Sequence, residues 1–182
     1  MSTFLYGAHV HANGIRQHYL RYGGHGPALI LIPGITSPAI TWGFVAERLG
    51  EKYDVYVLDV RGRGLSSSGP ELAYDAETCA QDVNAFAAAL SLASYALLGH
   101  SMGARFALRA AVLQPAGVRR LVLLSGRGEE EALRAERLLR ETGAAWTVLR
   151  SSWFAQNFSE SFLRDAVMAG EVLLPVDGAP EP

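Results

Sequence analysis

The chain has 182 residues, of which 49% are hydrophobic, and its formal net charge is −2. This composition is typical of one globular domain with a sizeable core, and the nearly balanced charge gives no reason to expect a nucleic acid or a membrane surface as a partner. The N-terminal segment lacks an apolar signal core, and no stretch approaches the roughly 20 apolar residues of a membrane span. We therefore expect a cytoplasmic protein.

The cysteine count and the spacing of possible metal ligands argue against a disulfide-stabilised or metal-binding protein. Cys79 is the single cysteine, so the chain cannot form an internal disulfide. It lies in a segment with helical periodicity, where a buried free thiol is the expected state. No spacing typical of metal ligands occurs, so we expect neither a metal nor another cofactor.

The N-terminal residues predict an antiparallel hairpin. Residues 9–12 and 17–22 alternate in polarity on either side of Asn13 and Gly14. Asn-Gly between two alternating segments is a strong signal for a two-residue hairpin turn.

Buried strands and helices alternate after the hairpin. The apolar runs at residues 28–32, 55–58 and 96–98 indicate strands that are covered on both faces of a parallel sheet. Residues 42–49 and 74–92 have helical periodicity and separate these runs. This alternation predicts a doubly wound α/β fold whose sheet is mostly parallel and begins with an antiparallel hairpin.

A glycine-bracketed serine lies between the third apolar run and the next helical segment. Residues 99–103 read Gly-His-Ser-Met-Gly. Gly99 and Gly103 leave room for a sharp strand-to-helix turn that lifts the Ser101 hydroxyl above the sheet edge. The backbone N–H of Met102 would then face an oxyanion that develops on an attacked carbonyl. A solvated serine in an ordinary turn is the alternative, which the surrounding sequence disfavours.

Four segments resemble successive landmarks of the α/β-hydrolase family, in the family's order. They are ANGIRQHYLRYGG, LILIPGITSPAITW, VYVLDVRGRGLSS and LLGHSMG, and the resemblance covers about residues 8–124. It implies a serine hydrolase that acts on an ester or a related small acyl substrate. It also implies that Ser101 is the nucleophile and that the N–H groups of Ile35 and Met102 form the oxyanion hole.

The resemblance leaves the catalytic triad incomplete. In the family the serine is followed by an acid and then by a histidine, whereas no histidine follows Ser101 in this sequence. The histidines occupy positions 9, 11, 18, 25 and 100. His100 adjoins the serine, but adjacent side chains at a tight turn point apart, so we expect a packed ring. Glu129 is the candidate acid, although we favour a coincidental surface charge run as its explanation. Pro33 and Arg63 stand where many members have histidine. We expect weak or absent activity.

The sequence changes character after residue 124. The stretch WTVLRSSWFAQNF, residues 146–158, resembles the later part of the NAD(P)H-binding, NmrA-like branch of atypical short-chain dehydrogenases/reductases. This second resemblance covers about residues 121–177. The glycine-rich phosphate loop of that family is absent from the sequence, so the resemblance implies no nucleotide cofactor.

We expect one α/β domain over residues 1–182. Its first part, residues 1–124, would be hydrolase-like, and its second part, residues 125–182, would be derived from a reductase. Residues 147–149 would form the next parallel strand.

Three functions remain as alternatives: a serine hydrolase scaffold, a non-catalytic binding domain, and a reductase-like protein without its phosphate loop. For the first, a histidine could also come from a second chain.

Overall fold

The computed structural model describes residues 2–125 and 145–150. The contacts of the chain group Met1–Ser151 into one compact unit. The expected single domain over residues 1–182 stays a prediction, because residues 152–182 lie outside the described part. Among the described helices, none is long and apolar enough to cross a membrane.

The described residues form a sheet of seven strands, three α-helices and two short 3₁₀ turns. In chain order they are β1 (Phe4–Ala12), β2 (Ile15–Tyr22), β3 (Ala28–Ile32), a 3₁₀ turn (Ala39–Trp42), α1 (Gly43–Leu49), β4 (Asp54–Leu58), α2 (Ala76–Ala89), β5 (Tyr95–His100), α3 (Met102–Leu113), a 3₁₀ turn (Pro115–Gly117), β6 (Val118–Ser125) and β7 (Ala145–Arg150). The predicted periodicities therefore identified the elements, with ends that differ by a few residues.

The sheet has the predicted topology. Its strand order is β1-β2-β4-β3-β5-β6-β7. β2 is antiparallel to β1 and β4, whereas β4, β3, β5, β6 and β7 run parallel to one another. The hairpin turn is also as predicted, since Asn13 has φ 47° and Gly14 has φ 75°, the positive values that a type I′ turn requires.

Alternate residues of the parallel strands face two separate cores. Ile30 and Ile32 of β3 pack with residues of α2 and α3, whereas Leu29 and Leu31 pack with residues that include Ala46 of α1. Helices therefore cover both faces, and this explains why the central strands are apolar without interruption.

The chain order of the parallel strands creates a topological switch point at β3. After β3 the chain crosses to β4 on one side, and after β4 it crosses back to β5 on the other side. In open α/β sheets, ligands bind outside the carboxyl ends of the strands at such a switch point. The segments that leave β3 and β5 carry Ile35 and Ser101.

The strand predicted at residues 147–149 is present as β7. Its backbone pairs in parallel with β6, with Thr147 opposite Val122 and Val148 opposite Leu123. The remainder of the reductase-like segment, residues 126–144 and 151–177, lies outside the described residues. The NmrA-like resemblance therefore stays a prediction.

Candidate active site

Ser101 occupies the turn between β5 and α3 in a rare backbone conformation. Its φ is 52° and its ψ is −118°. Its N–H donates to the carbonyl oxygen of Leu124 at 2.7 Å, which ties the turn to β6. The Ser101 side chain is exposed. A positive φ at a residue with a side chain is uncommon, and such strain is found preferentially at functional sites.

Two glycines allow this turn because the backbone packs tightly around them. A β-carbon added to Gly99 would lie 2.5 Å from the carbonyl oxygen of Gly103. One added to Gly103 would lie 2.1 Å from the carbonyl oxygen of Ile32 and 2.4 Å from that of Pro33. Both glycines thus have the expected place in the turn, and α3 lies directly against the end of β3.

The segment that leaves β3 lies beside the serine. Pro33 and Gly34 are buried, and a β-carbon added to Gly34 would lie 3.3 Å from the Ser101 Cβ. Ile35, the next residue, is 52% exposed. On the other side of the serine, Met102 is the first residue of α3, and the first N–H groups of a helix have no intrahelical acceptor. The fold therefore places Gly34 beside Ser101, while the oxyanion-hole role of the Ile35 and Met102 N–H groups stays a prediction.

Asp59 joins the segment after β3 to the segment after β4. Its buried carboxylate accepts the Ala39 N–H at 2.6 Å through Oδ1 and the Leu65 N–H at 3.0 Å through Oδ2. Ser66 Oγ donates to the Asp59 carbonyl oxygen at 2.7 Å. Asp59 therefore braces the two neighbouring segments through hydrogen bonds.

Arg63 contacts the same segment from the opposite loop. Its Nε donates to the carbonyl oxygen of Ile35, and its Nη1 donates to that of Gly62 at 2.9 Å. The side chain is half-buried. Sequence reasoning did not assign this contact, because no local pattern links residues 35 and 63.

The histidines, all of which lie in the described part, make no hydrogen bond there to Ser101. His18 Nδ1 donates to Asp59 Oδ2 at 2.7 Å, and both side chains are buried. The ring of His9 lies 4.9 Å from that of His18 between centroids. His25 bonds through Nδ1 to the Gly23 carbonyl oxygen at 3.0 Å. His18 is buried, although it belongs to the hairpin at one edge of the sheet.

His100 is a packed residue, as expected. Its ring centroid lies 5.1 Å from that of Trp42, and its buried Nδ1 has no hydrogen-bond partner among the described residues. Burial lowers the pKa of the imidazole below its usual value, so the ring is neutral at neutral pH. The candidate acid Glu129 lies outside the described residues. Within that part of the chain, no group of three or more His, Cys, Asp or Glu side chains could hold a metal ion.

Comparison with known proteins places the chain in a family. Residues 27–163 match the family model described as the alpha/beta hydrolase fold, which is most of the sequence, so the chain belongs to the α/β-hydrolase fold family. The match continues past residue 124, where sequence analysis placed the end of the hydrolase-like part.

Two curated relatives are amide-related hydrolases by name. The chain is 73% identical over 124 residues to the N-formylmaleamate deformylase of Pseudomonas putida, which covers 68% of this chain and 46% of that protein. It is 34% identical over 105 residues to the 2-(acetamidomethylene)succinate hydrolase of Mesorhizobium japonicum, with coverage of 58% and 37%. The chain thus spans less than half the length of these relatives.

A crystal structure of an N-formylmaleamic acid deformylase from Pseudomonas putida is similar in three dimensions. The TM-score is 0.62 at 53% sequence identity, and the match covers 65% of this chain and 46% of that one. That protein was crystallised with one serine replaced by alanine.

Proposed function

We propose that Ser101 is the nucleophile of a site that hydrolyses N-acyl amides of small carboxylic acids. The observation that carries this proposal is the exposed serine at φ 52°, next to the segment that leaves β3. The relatives indicate the substrate class. One name specifies a formyl group and the other an acetamido group, and both specify a carboxylate.

The backbone around Ser101 supports acyl transfer. The Ser101 Oγ attacks the acyl carbon, and the carbonyl oxygen becomes an oxyanion that accepts hydrogen bonds from the N–H groups of Ile35 and Met102. The bond between the acyl carbon and nitrogen then breaks, and the nitrogen leaves with the proton that the Ser101 hydroxyl has lost. Water hydrolyses the resulting acyl ester and restores the serine.

We expect this chain to catalyse the reaction slowly. A serine hydroxyl is a weak nucleophile near neutral pH unless a base removes its proton. The described histidines are poor candidates for this base, because His18 is bonded to Asp59 and His100 is packed against Trp42. An oxyanion hole and substrate binding alone still retain about 10³-fold to 10⁴-fold catalysis over water.

Formate release from N-formylmaleamate tests the proposal, with imidazole added as an external base. We expect slow release by the native chain, faster release as imidazole is raised, and only the uncatalysed rate with Ser101→Ala. Circular dichroism of both proteins checks that they are folded. If the two proteins release formate at the same rate with and without imidazole, Ser101 is not the nucleophile.

A second candidate is a non-catalytic binding domain that retains the turn, because no histidine of the described residues is hydrogen-bonded to Ser101. In that case N-formylmaleamate would bind without formate release at any imidazole concentration. Calorimetric binding measured beside the formate assay distinguishes the two candidates.

A further inference from the structure

Arg63 is a half-buried cation without a counter-ion in the described part of the chain. Its Nε and Nη1 donate to the carbonyl oxygens of Ile35 and Gly62, which are neutral groups. A guanidinium has five N–H donors, so these two contacts leave three for another acceptor. Asp59, the acid nearest in sequence, uses its carboxylate for Ala39, Leu65 and His18.

Two other arginines whose side chains are not exposed differ from Arg63 in this respect. Arg61 pairs with Asp82 at 2.7 Å, and Arg21 pairs with Asp54 at 2.8 Å. Removing a cation from water costs free energy unless a negative partner compensates it. Arg63, which is partly buried and has no carboxylate partner in the described part, therefore favours an anion from outside the described residues.

Arg63 contacts the segment that lies beside Ser101. Its Nε is bonded to Ile35, which follows Gly34, and Gly34 lies against the Ser101 Cβ. We infer that Arg63 binds a carboxylate of the substrate and so selects anionic acyl compounds. This inference rests on the proposed function and names the group that determines its specificity.

An arginine suits this task better than a histidine would. A guanidinium stays charged at any working pH and can hold a carboxylate through two parallel hydrogen bonds. An ordinary imidazole is mostly neutral near neutral pH. The two backbone carbonyls that hold Arg63 also restrict its side chain, so less conformational entropy is lost when the carboxylate binds.

Binding of the product-like maleamate to a Ser101→Ala background tests the inference without requiring turnover. Maleamide, in which the carboxylate is replaced by an amide, is the neutral control ligand. We expect Arg63→Gln to weaken maleamate binding by about 10-fold or more, since a hydrogen bond to a charged group is worth about 1.5–3 kcal/mol. Maleamide binding should change little, and Arg63→Lys should retain part of the preference for maleamate.

Arg119→Gln is the matched control, because Arg119 is exposed at the amino end of β6, whereas Ser101 follows the carboxyl end of the parallel strand β5. It should leave both affinities unchanged. If Arg63→Gln does not fold, the Arg63 Nε–H resonance of the Ser101→Ala protein gives a second measurement. That resonance should shift with maleamate and not with maleamide.

Equal maleamate affinities with and without Arg63, or no maleamate binding at all, would overturn the inference. An Nε–H resonance that does not respond to maleamate would also overturn it. The proposed function would still stand if formate release required Ser101. Conversely, selective maleamate binding without formate release would support Arg63 and contradict the hydrolase proposal.

Discussion

Gly103 lies directly against the carbonyl oxygen of Ile32, and a β-carbon at position 103 would approach that oxygen to 2.1 Å. This contact joins the first turn of α3 to the last residue of β3. It sets how closely Ser101 approaches the segment of Gly34 and Ile35. The geometry of the candidate site therefore depends on a backbone contact that only glycine permits.

Gly103→Ala should destabilise the protein and displace the turn. The new methyl group must push α3 away from two backbone oxygens, and we expect a loss of about 1–3 kcal/mol in the free energy of unfolding, as for other overpacked sites. Urea denaturation measures the loss. Gly43→Ala is the control, since its β-carbon would meet only the Tyr22 hydroxyl, at 3.3 Å. Similar losses in the two variants would contradict the role of the contact between Gly103 and Ile32.

Ser101→Gly should be more stable than Ser101→Ala. Both variants lack the hydroxyl, but only glycine adopts a positive φ without steric cost. The strain at position 101 is worth about 1–3 kcal/mol, and the greater freedom of glycine in the unfolded chain offsets about 0.5–1 kcal/mol of the gain. Thermal unfolding of the two variants measures the difference. A lower melting temperature for Ser101→Gly would show that the turn is not strained.

Asp82→Asn should be strongly destabilising, because it leaves the charge of Arg61 buried without its partner. Arg61 and Asp82 are joined by two hydrogen bonds of 2.7 Å, and their side chains are 6% and 2% exposed. Breaking such a pair from one side costs about 3–5 kcal/mol. Asp54→Asn, at the more exposed pair with Arg21, should cost less in the same urea titration. Equal losses would contradict this ranking.

Cys79 should resist alkylation in the native protein. Burial raises the pKa of its thiol to about 11. At about pH 8 roughly one thiol in a thousand would then be ionised, and the thiolate is the form that reacts. Native protein should react with iodoacetamide far more slowly than protein in urea, and the native rate should still rise above about pH 9. A native rate equal to the rate in urea would contradict the burial.

Much of the fold could be predicted from local patterns. The hairpin around Asn13 and the apolar runs of β3, β4 and β5 gave the sheet, because period and turn chemistry are local properties. The bond between His18 and Asp59 and the bond between Arg63 and Ile35 were not predicted. Their partners are 41 and 28 residues apart and meet only after the strands assemble.

In the candidate site, too, local features were predicted from the sequence and contacts between distant residues were not. Glycine spacing around Ser101 predicted the turn, since the motif contains its own geometry. The likeness of earlier segments to the family indicated Ile35 as the second oxyanion donor. The sequence did not predict that Arg63 lacks a carboxylate partner in the described residues, because this depends on which acidic side chains the fold places nearby.

Intact mass after exposure to a fluorophosphonate probe tests most directly whether Ser101 is an activated nucleophile. We predict one covalent adduct per chain, formed slowly, accelerated by imidazole and absent from folded Ser101→Ala. Folded native protein that gains no adduct even with imidazole would contradict the account. An adduct of equal yield in Ser101→Ala would contradict it as well.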